Sequence, residues 1–193
     1  MAALVLGLVL FLGVHSTRIL ADGWRTATME SFGSKEYKLL YSVLSIAGFV
    51  LLVWGYGLAR QQPVVLWGPP PVWVRHVAAL LTLVAFVLVV AAYVPGNEIK
   101  AKLRHPMILG VKVWALAHLV SNNTLADLVL FGSFLVWAVL DFRSARRRDS
   151  TLVTVLDGTR GKTVVTVVVG VVAWAVFAFW AHRVLMGVSP LGR

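Results

Sequence analysis

Residues 162–172, KTVVTVVVGVV, belong to the stretch of sequence that decides the fold. A run so rich in valine predicts a β-strand in water, because β-branched side chains favour extended backbone. Here the run lies within a longer apolar segment, from about Val164 to about Leu185. In a lipid bilayer every backbone N–H and C=O must find a partner within the protein, and a helix achieves this locally. The segment is therefore predicted to be a membrane-spanning helix.

Five further apolar segments precede it, and each is near the length of about 18 residues that crosses a bilayer. They run from about Ala2 to Leu20, Leu39 to Leu58, Val72 to Tyr93, Pro106 to Val120 and Leu125 to Phe142. The 193 residues are 59% hydrophobic and 13% charged, with a mean hydropathy of +0.84, whereas soluble domains are nearer half apolar and a quarter charged. The sequence predicts an all-α fold: one integral membrane domain over residues 1–193, a polytopic bundle of about six transmembrane helices.

Two local features refine this prediction. The first fifteen residues, MAALVLGLVLFLGVH, have no basic start, and no small-residue cleavage site follows before the polar STRILADGWR. They are therefore predicted to be a retained helix rather than a secretory signal. The stretch SNNT, residues 121–124, separates the fourth and fifth segments so tightly that these two helices must form an antiparallel hairpin.

The basic residues indicate an orientation. The net charge is +10, and fourteen of the eighteen Lys and Arg lie in loops one-two, three-four and five-six with their helix edges. The other four are Arg60, Arg75, Arg183 and Arg193. The positive-inside rule then places both termini in the periplasm and the basic loops in the cytoplasm of a bacterial inner membrane. Clustering at the ends of spans favours membrane lipids as partners over nucleic acid.

Ionisable residues inside membrane helices are costly and usually functional. The candidates are His15 in the first helix and His118 and Lys112 in the fourth. His76 and His182 lie near the outer ends of helices three and six. His118 shares a helical stripe with Gly110, Trp114 and Ser121, an arrangement that suits a flat apolar ligand. The alternative is a buried histidine bonded to a carbonyl or hydroxyl group across the bundle.

The residue types favour haem over other metal centres. The chain has no cysteine, so thiolate ligands are excluded, and it has no glutamate inside the spans for a carboxylate-bridged di-iron site. A haem b in a helix bundle needs only one or two axial histidines and an apolar slot. The haem propionates need cations at the inner surface, and these are available. They are Arg18, Lys100, Lys102 and Arg104.

The stretch RHPMILG, residues 104–110, predicts the start of a helix. Pro106 suits the first helical turn, and it pushes His105 towards an extended conformation. His105 then lies at a helix N-terminus, where the field favours an anion, although a simple helix start explains the same residues. Lys112 could snorkel inwards, pair with Asp141 or Glu98, or line a polar cavity. Asp127 is predicted to complement the dipole of helix five.

Several stretches resemble the bacterial NnrU family of membrane proteins. They are LGLVLFLGVHSTRI, LYSVLSIAGFVLLVWGYGLAR, residues 91–142 and WAVFAFW, and they cover nearly the whole chain. The resemblance implies a role in nitrogen-oxide metabolism, denitrification or redox metabolism, with a haem that could bind nitric oxide.

The same signature resembles the haem-dependent zeta-carotene isomerase, which acts on a lipid-soluble polyene. By motif the haem ligands of that enzyme correspond to His15, in VHS, and His118, in WALAH. Trp114 is then a pocket wall, and His76 is the reserve metal ligand for His118. The isomerase has a cysteine three residues before its second histidine, whereas this chain has Ala115. Ligand exchange by a thiolate is therefore impossible here.

Two further alternatives remain open. RHPMILG also resembles the RHPxYxG stretch of membrane methyltransferases that bind S-adenosylmethionine, but Ile108 replaces the tyrosine and the acidic motif after the last helix is missing. A non-enzymatic assembly factor needs no ligand, and its histidines only pack the bundle. The predicted cofactor-binding set is His15, Arg18, Arg104, His105, Lys112, Trp114 and His118.

Overall fold

A computed structural model of the chain describes residues 1–149 and 157–191. Nearly all of the described chain is helical, and it contains no β-strand. The helices are α1 (Ala2–His15), α2 (Thr17–Leu20), α3 (Asp22–Phe32), α4 (Ser34–Ala59), α5 (Val72–Tyr93), α6 (Glu98–Leu103), α7 (Pro106–Ser121), α8 (Leu125–Asp149), α9 (Arg160–Val176) and α10 (His182–Met186). A π-helical turn, Phe177–Ala181, joins α9 to α10. The predicted all-α fold is confirmed, while Arg193 lies outside the described residues.

Each of the six predicted apolar segments forms a helix, and four helices of the described part of the chain are long and apolar enough to cross a membrane. These are Ser34–Ala59, Val72–Tyr93, Leu125–Asp149 and the continuous stretch Arg160–Met186. The other two, α1 and α7, have 14 and 16 residues, which is about 21 and 24 Å at 1.5 Å per residue. The chain is therefore a helical membrane protein with four helices of spanning length and two shorter apolar ones.

Several predicted helix ends were wrong. The first segment does not run unbroken to Leu20, because the helix is interrupted at Ser16, whose hydroxyl donates to the carbonyl of Leu12 at 2.6 Å. The fifth does not end at Phe142, because the basic stretch that follows continues α8 to Asp149. A helix can continue through charged residues into the headgroup region. The length of an apolar segment does not reveal that part of the helix.

The helices form a row in which each packs on its neighbour. The order in space is α4, α1, α8, α7, α5 and α9. The adjacent α7 and α8 confirm the predicted hairpin across SNNT. The loop before α5 covers this turn, because the backbone N–H of Leu66 donates to Asn123 O at 2.9 Å and that of Leu125 donates to Val64 O at 2.8 Å.

Glycines allow α1 and α4 to pack with their backbones in direct contact. Gly7 lies against the backbone of Leu52, and Gly55 lies against that of Leu4. A Cβ at Gly48 would lie 2.7 Å from the backbone nitrogen of Phe11. Small residues at such positions are typical of helix pairs in membranes, where close approach replaces the hydrophobic effect as the driving force.

Two further glycines attach the other half of the row to α5. A Cβ at Gly110 of α7 would lie 3.1 Å from the carbonyl oxygen of Ala85, and one at Gly170 of α9 would lie 2.8 Å from the Cα of Val87. The outward faces of the helices carry many exposed Val, Leu and Phe side chains. An apolar surface of this extent is expected where lipid, not water, surrounds the protein.

Replacement of Gly55 by alanine should destabilise the protein, because the added methyl group meets the backbone of α1. Overpacking of this kind costs about 1–3 kcal/mol. Gly57 lies two residues further along the same helix with nothing near it, so Gly57→Ala is the matched control. That control should be neutral or stabilise by up to about 1 kcal/mol, since alanine is the better helix former. Equal thermal stabilities of the two variants in detergent would contradict the packing described here.

Candidate functional site

Two cavities are lined by histidines of the bundle. The larger, here the basic cavity, has a volume of about 500 Å³. It is lined by His15, Thr17, Arg18, Arg25, Met29, Tyr37, Lys38, Tyr41, His105, Ile108, Trp137, Asp141, Ala145, Arg148 and Asp149. The smaller, here the aromatic cavity, has a volume of about 60 Å³ and is lined by Ala79, Thr82, Phe86, Trp114, His118, Trp174, Phe177, Ala178, His182, Pro190 and Leu191.

His15 reaches the basic cavity from the last turn of α1. Its Nδ1 lies 2.7 Å from the carbonyl oxygen of Phe11. A carbonyl can only accept a hydrogen bond, so Nδ1 carries the proton and Nε2 of the neutral ring presents a lone pair. The ring lies between aromatic neighbours, with centroids 5.3 Å from Tyr41 and 6.1 Å from Trp137. This is the tautomer that metal-binding histidines adopt, with a backbone carbonyl fixing the ring.

The charges around the basic cavity favour an anion. Four fixed cations line it, and two carboxylates, Asp141 and Asp149, oppose them. Of the cations, Arg25 lies 3.4 Å from Asp22, which is on its own helix. Arg18 and Lys38 are exposed at the cavity and form no ion pair with another described residue. The net positive balance attracts carboxylate or phosphate groups, and the cavity mouth does not bury these charges away from water.

Asp149 connects the ends of α7 and α8. Its Oδ2 accepts a hydrogen bond from His105 Nε2 at 2.9 Å, and Arg104 and Arg146 each lie 3.7 Å from the same atom. The predicted helix start at Pro106, with His105 as its N-cap, is confirmed. Arg104 does not line the basic cavity but binds Asp149, with a positive φ of 62° that is uncommon for a residue other than glycine.

Trp137 lines the basic cavity with its ring. Its Nε1 is buried, without access to the cavity, and has no hydrogen-bond acceptor among residues 1–149 and 157–191. The cavity itself therefore offers an imidazole, cations and aromatic walls. These groups fit the donor chemistry of a haem, with iron for the imidazole and propionates for the cations.

His118 lies in the aromatic cavity, not in the basic one. Its Nδ1 donates to the carbonyl oxygen of Trp114 at 2.8 Å, and its ring stacks on Phe131 with centroids 4.5 Å apart. Trp114, the predicted pocket wall, lies 5.1 Å from the His118 ring and lines the same cavity. Ala115, at the position of the isomerase cysteine, is completely buried.

A series of aromatic rings stands between His15 and His118. Phe11 contacts His15 with centroids 4.3 Å apart and Phe134 at 5.9 Å. Phe134 in turn lies 5.5 Å from Trp114, which flanks His118. The structure therefore places the two histidines at different cavities, and their joint ligation of one iron stays a prediction from the resemblance.

The remaining predicted residues lie away from both cavities. His76 is exposed and lines neither. Lys112 pairs with neither Asp141 nor Glu98 among the described residues; its ammonium lies over the ring of Phe142, 4.6 Å from the centroid. A cation on an aromatic face needs no carboxylate partner, which the sequence could not reveal.

Several residues that complete the basic cavity, among them Tyr37, Tyr41 and Trp137, were not predicted from the sequence. Tyr37 and Tyr41 are one helical turn apart on α4, and Trp137 and Asp141 are one turn apart on α8. The i,i+4 spacing was a usable signal. This spacing was not recognised as a signal because the residues lie near the ends of apolar segments and belong to different helices.

Asp127 has a structural role at the start of α8. It is 7% exposed, and its Oδ2 accepts from the Thr124 hydroxyl at 2.5 Å and from the Thr124 backbone N–H at 3.2 Å. Its Oδ1 accepts from the hydroxyl of Tyr56 at 2.5 Å, which ties α4 to α8. All of its close contacts are within the bundle, as expected for the predicted helix-dipole role.

The fold and the cavities define a class of protein: an all-helical membrane bundle with a basic, histidine-containing cavity at the ends of its helices. The family model described as "NnrU protein" matches residues 3–190. The chain therefore belongs to the NnrU family. No curated protein and no solved structure matches the sequence.

The positive balance of the basic cavity can be measured with single cysteines, because the chain has none of its own. Ile108→Cys places a thiol in the cavity, whereas Ala117→Cys, on the same helix, is completely buried. Ile108→Cys should react with water-soluble methanethiosulfonates, and Ala117→Cys should not. For Ile108→Cys, the rate of reaction with an anionic reagent divided by the rate with a cationic reagent should be higher than the same ratio for the exposed control Gln61→Cys. An equal or lower ratio would contradict a positive cavity.

Proposed function

We propose that the chain is a b-haem-binding membrane protein that uses the basic cavity, with His15 as an axial ligand. The observation that carries the proposal is the composition of this one cavity. It combines the imidazole of His15, whose Nδ1 is already bound to a carbonyl, with a net positive lining and aromatic walls. A haem offers a complementary partner to each of these features at once.

His15 would hold the iron, because its ring is already oriented. The Nδ1–H bond to Phe11 O fixes the tautomer and makes Nε2 a better electron donor. Tyr41 and Trp137 restrict rotation of the ring from two sides. An oriented imidazole loses little conformational freedom on binding, which favours affinity.

Arg18 and Lys38, which line the basic cavity, would bind the propionates. Charge-assisted hydrogen bonds of this kind are about twice as strong as neutral ones. The sequence favoured Arg104 as a propionate partner. Arg104 would not serve in this role, because its guanidinium already pairs with the carboxylate of Asp149. His105 is held by the same carboxylate and would act as a wall of the cavity.

A bound haem supplies redox-active iron, which suits a role in nitrogen-oxide or redox metabolism in a bacterial inner membrane. The bond of Nδ1 to Phe11 O would strengthen His15 as a donor to the iron, and the rings of Tyr41 and Trp137 would limit the access of water to it. Carotenoid isomerisation finds less support, because the position of the exchangeable thiol is occupied by the buried Ala115. Methyl transfer and pure assembly leave the oriented imidazole of His15 at the basic cavity unexplained.

Haem content tests this proposal directly. The chain expressed with excess haem and purified in detergent should give about one haem per chain in a pyridine haemochrome assay. His15→Ala should lose most of it, because the axial donor is removed. His76→Ala is the matched control, since His76 is an exposed histidine outside both cavities.

The variant His118→Ala separates the two possible ligand sets. Retention of haem in His118→Ala together with loss in His15→Ala supports the basic cavity as the site. Loss in both variants would favour the pair implied by the isomerase resemblance. A colourless wild-type protein would contradict haem binding altogether.

We also propose that all six apolar helices cross the inner membrane, with both termini in the periplasm. The asymmetric distribution of Lys and Arg supports this orientation. The short α1 would reach across with α2, because only Ser16 separates them. The short α7 would cross where the bilayer is locally thinner. Basic side chains of α6 and of the end of α8 would support this thinning, because they reach the lipid headgroups by snorkelling.

Cysteine labelling in intact cells measures this topology. Gln61→Cys should react with a membrane-impermeant maleimide from outside, because Gln61 follows α4 at the predicted periplasmic face. Lys102→Cys, in the exposed part of α6, should react only after the membrane is permeabilised. The reverse pattern would show that the orientation is inverted.

A further inference from the structure

The aromatic cavity contains two histidines that the proposed haem site does not use. His118 comes from the last turn of α7, and His182 comes from the first residue of α10. Both line the same cavity of about 60 Å³, although 64 residues separate them in sequence. The bundle thus brings two imidazoles from different helices to one small, mainly apolar cavity.

Both imidazoles use the same ring nitrogen to bind the backbone. Nδ1 of His118 lies 2.8 Å from the carbonyl oxygen of Trp114, and Nδ1 of His182 lies 2.8 Å from that of Val188. Because a carbonyl cannot donate, both Nδ1 atoms carry a proton, and Nε2 is the atom of each ring that is left to bind a further partner. A cation or a hydrogen-bond donor is the kind of partner that two such atoms at one cavity can share.

The two rings are also held in place. His118 stacks on Phe131, with a centroid distance of 4.5 Å and an interplanar angle of 24°. His182 meets Phe177 edge-on, with centroids 5.7 Å apart and an angle of 87°. A π-helical turn, Phe177–Ala181, directly precedes His182. Such turns are rare and occur frequently at functional sites.

The size of the cavity limits the occupant. A cavity of about 150 Å³ binds benzene, so about 60 Å³ is too small for an aromatic or polyene ligand. A single ion fits. Among first-row metals, imidazole suits copper, zinc, iron and nickel, whereas magnesium and calcium require oxygen ligands.

The charge of the surroundings selects among these ions. Apart from the two imidazoles, no residue that lines the aromatic cavity is ionisable. No group of three or more His, Cys, Asp or Glu that could hold a metal occurs among the described residues. The cost of burying an ion rises with the square of its charge, so a site with two neutral donors favours a monovalent ion. Cuprous copper is monovalent and accepts two ligands.

We propose that His118 and His182 bind one Cu(I) ion through their Nε2 atoms. The ion lies on the far side of the aromatic rings from His15, so this site is independent of the haem proposed for the basic cavity. The same variant, His118→Ala, therefore has two separate readouts: copper is lost and haem is retained.

Competition for Cu(I) tests the proposal on the full chain in detergent. Cu(I) is supplied as its bathocuproine disulfonate complex, and copper and iron per chain are measured by mass spectrometry. The wild type should withdraw one Cu(I) per chain. His118→Ala and His182→Ala should bind at least tenfold more weakly, whereas His76→Ala and His15→Ala should bind as the wild type does.

X-ray absorption of the copper-loaded wild type removes any dependence on the folding of variants. Two nitrogen neighbours and no sulfur neighbour are expected, because no methionine lines the aromatic cavity. His118→Gln, which keeps side-chain bulk but lacks the imidazole, should behave as His118→Ala while eluting as the wild type in gel filtration. A sulfur neighbour, copper retained in both His118 variants, or binding of Zn(II) without Cu(I) would overturn the proposal.

Discussion

The direct contact of α1 with α4 is the interaction on which the arrangement of the bundle depends. Gly7, Gly48 and Gly55 remove the side chains that would hold the two backbones apart, and dispersion between closely packed backbones then replaces a hydrophobic driving force that lipid does not provide. This contact fixes the end of α1, and therefore places His15 beside Tyr41 of the same partner helix. A cavity with a defined imidazole follows from three residues that have no side chain.

Two cavities with similar histidine chemistry result from this arrangement, and their surroundings make them different. His15 and His118 each donate Nδ1–H to the carbonyl four residues earlier, so Nε2 is left in each ring to bind a further partner. His15 lines a large cavity that also contains arginines and carboxylates, whereas His118 lines a small, mainly apolar cavity that contains another imidazole. The ring series from Phe11 to Trp114 keeps the two environments apart. Volume and charge, more than the donor atom, then decide what each can hold.

The apolar blocks made the helices predictable, since backbone satisfaction in lipid leaves few alternatives. The hairpin at SNNT and the helix start at Pro106 were predictable for the same reason: local turn chemistry decides them. The site was predicted only in part. His15, Arg18 and His105 do line the basic cavity, but the partners of Arg104 and Lys112, which are Asp149 and the Phe142 ring, depend on how α7 lies on α8. Sequence spacing within one helix carries no information on that register, and it could not separate His118 from His15.

The π-helical turn at Phe177–Ala181 determines the direction in which α10 faces. A π turn accommodates one extra residue within a single turn, so the register of the helix on either side is kept. If the same residues wound as a regular α-helix, everything downstream would rotate by about 100° around the helix axis. His182 would leave the face that carries Ala178, and the hydrogen bond of Arg60 to Met186 O would break with it. A change of winding within one turn would thus dismantle one site while the other cavity, built from the first eight helices, stayed intact.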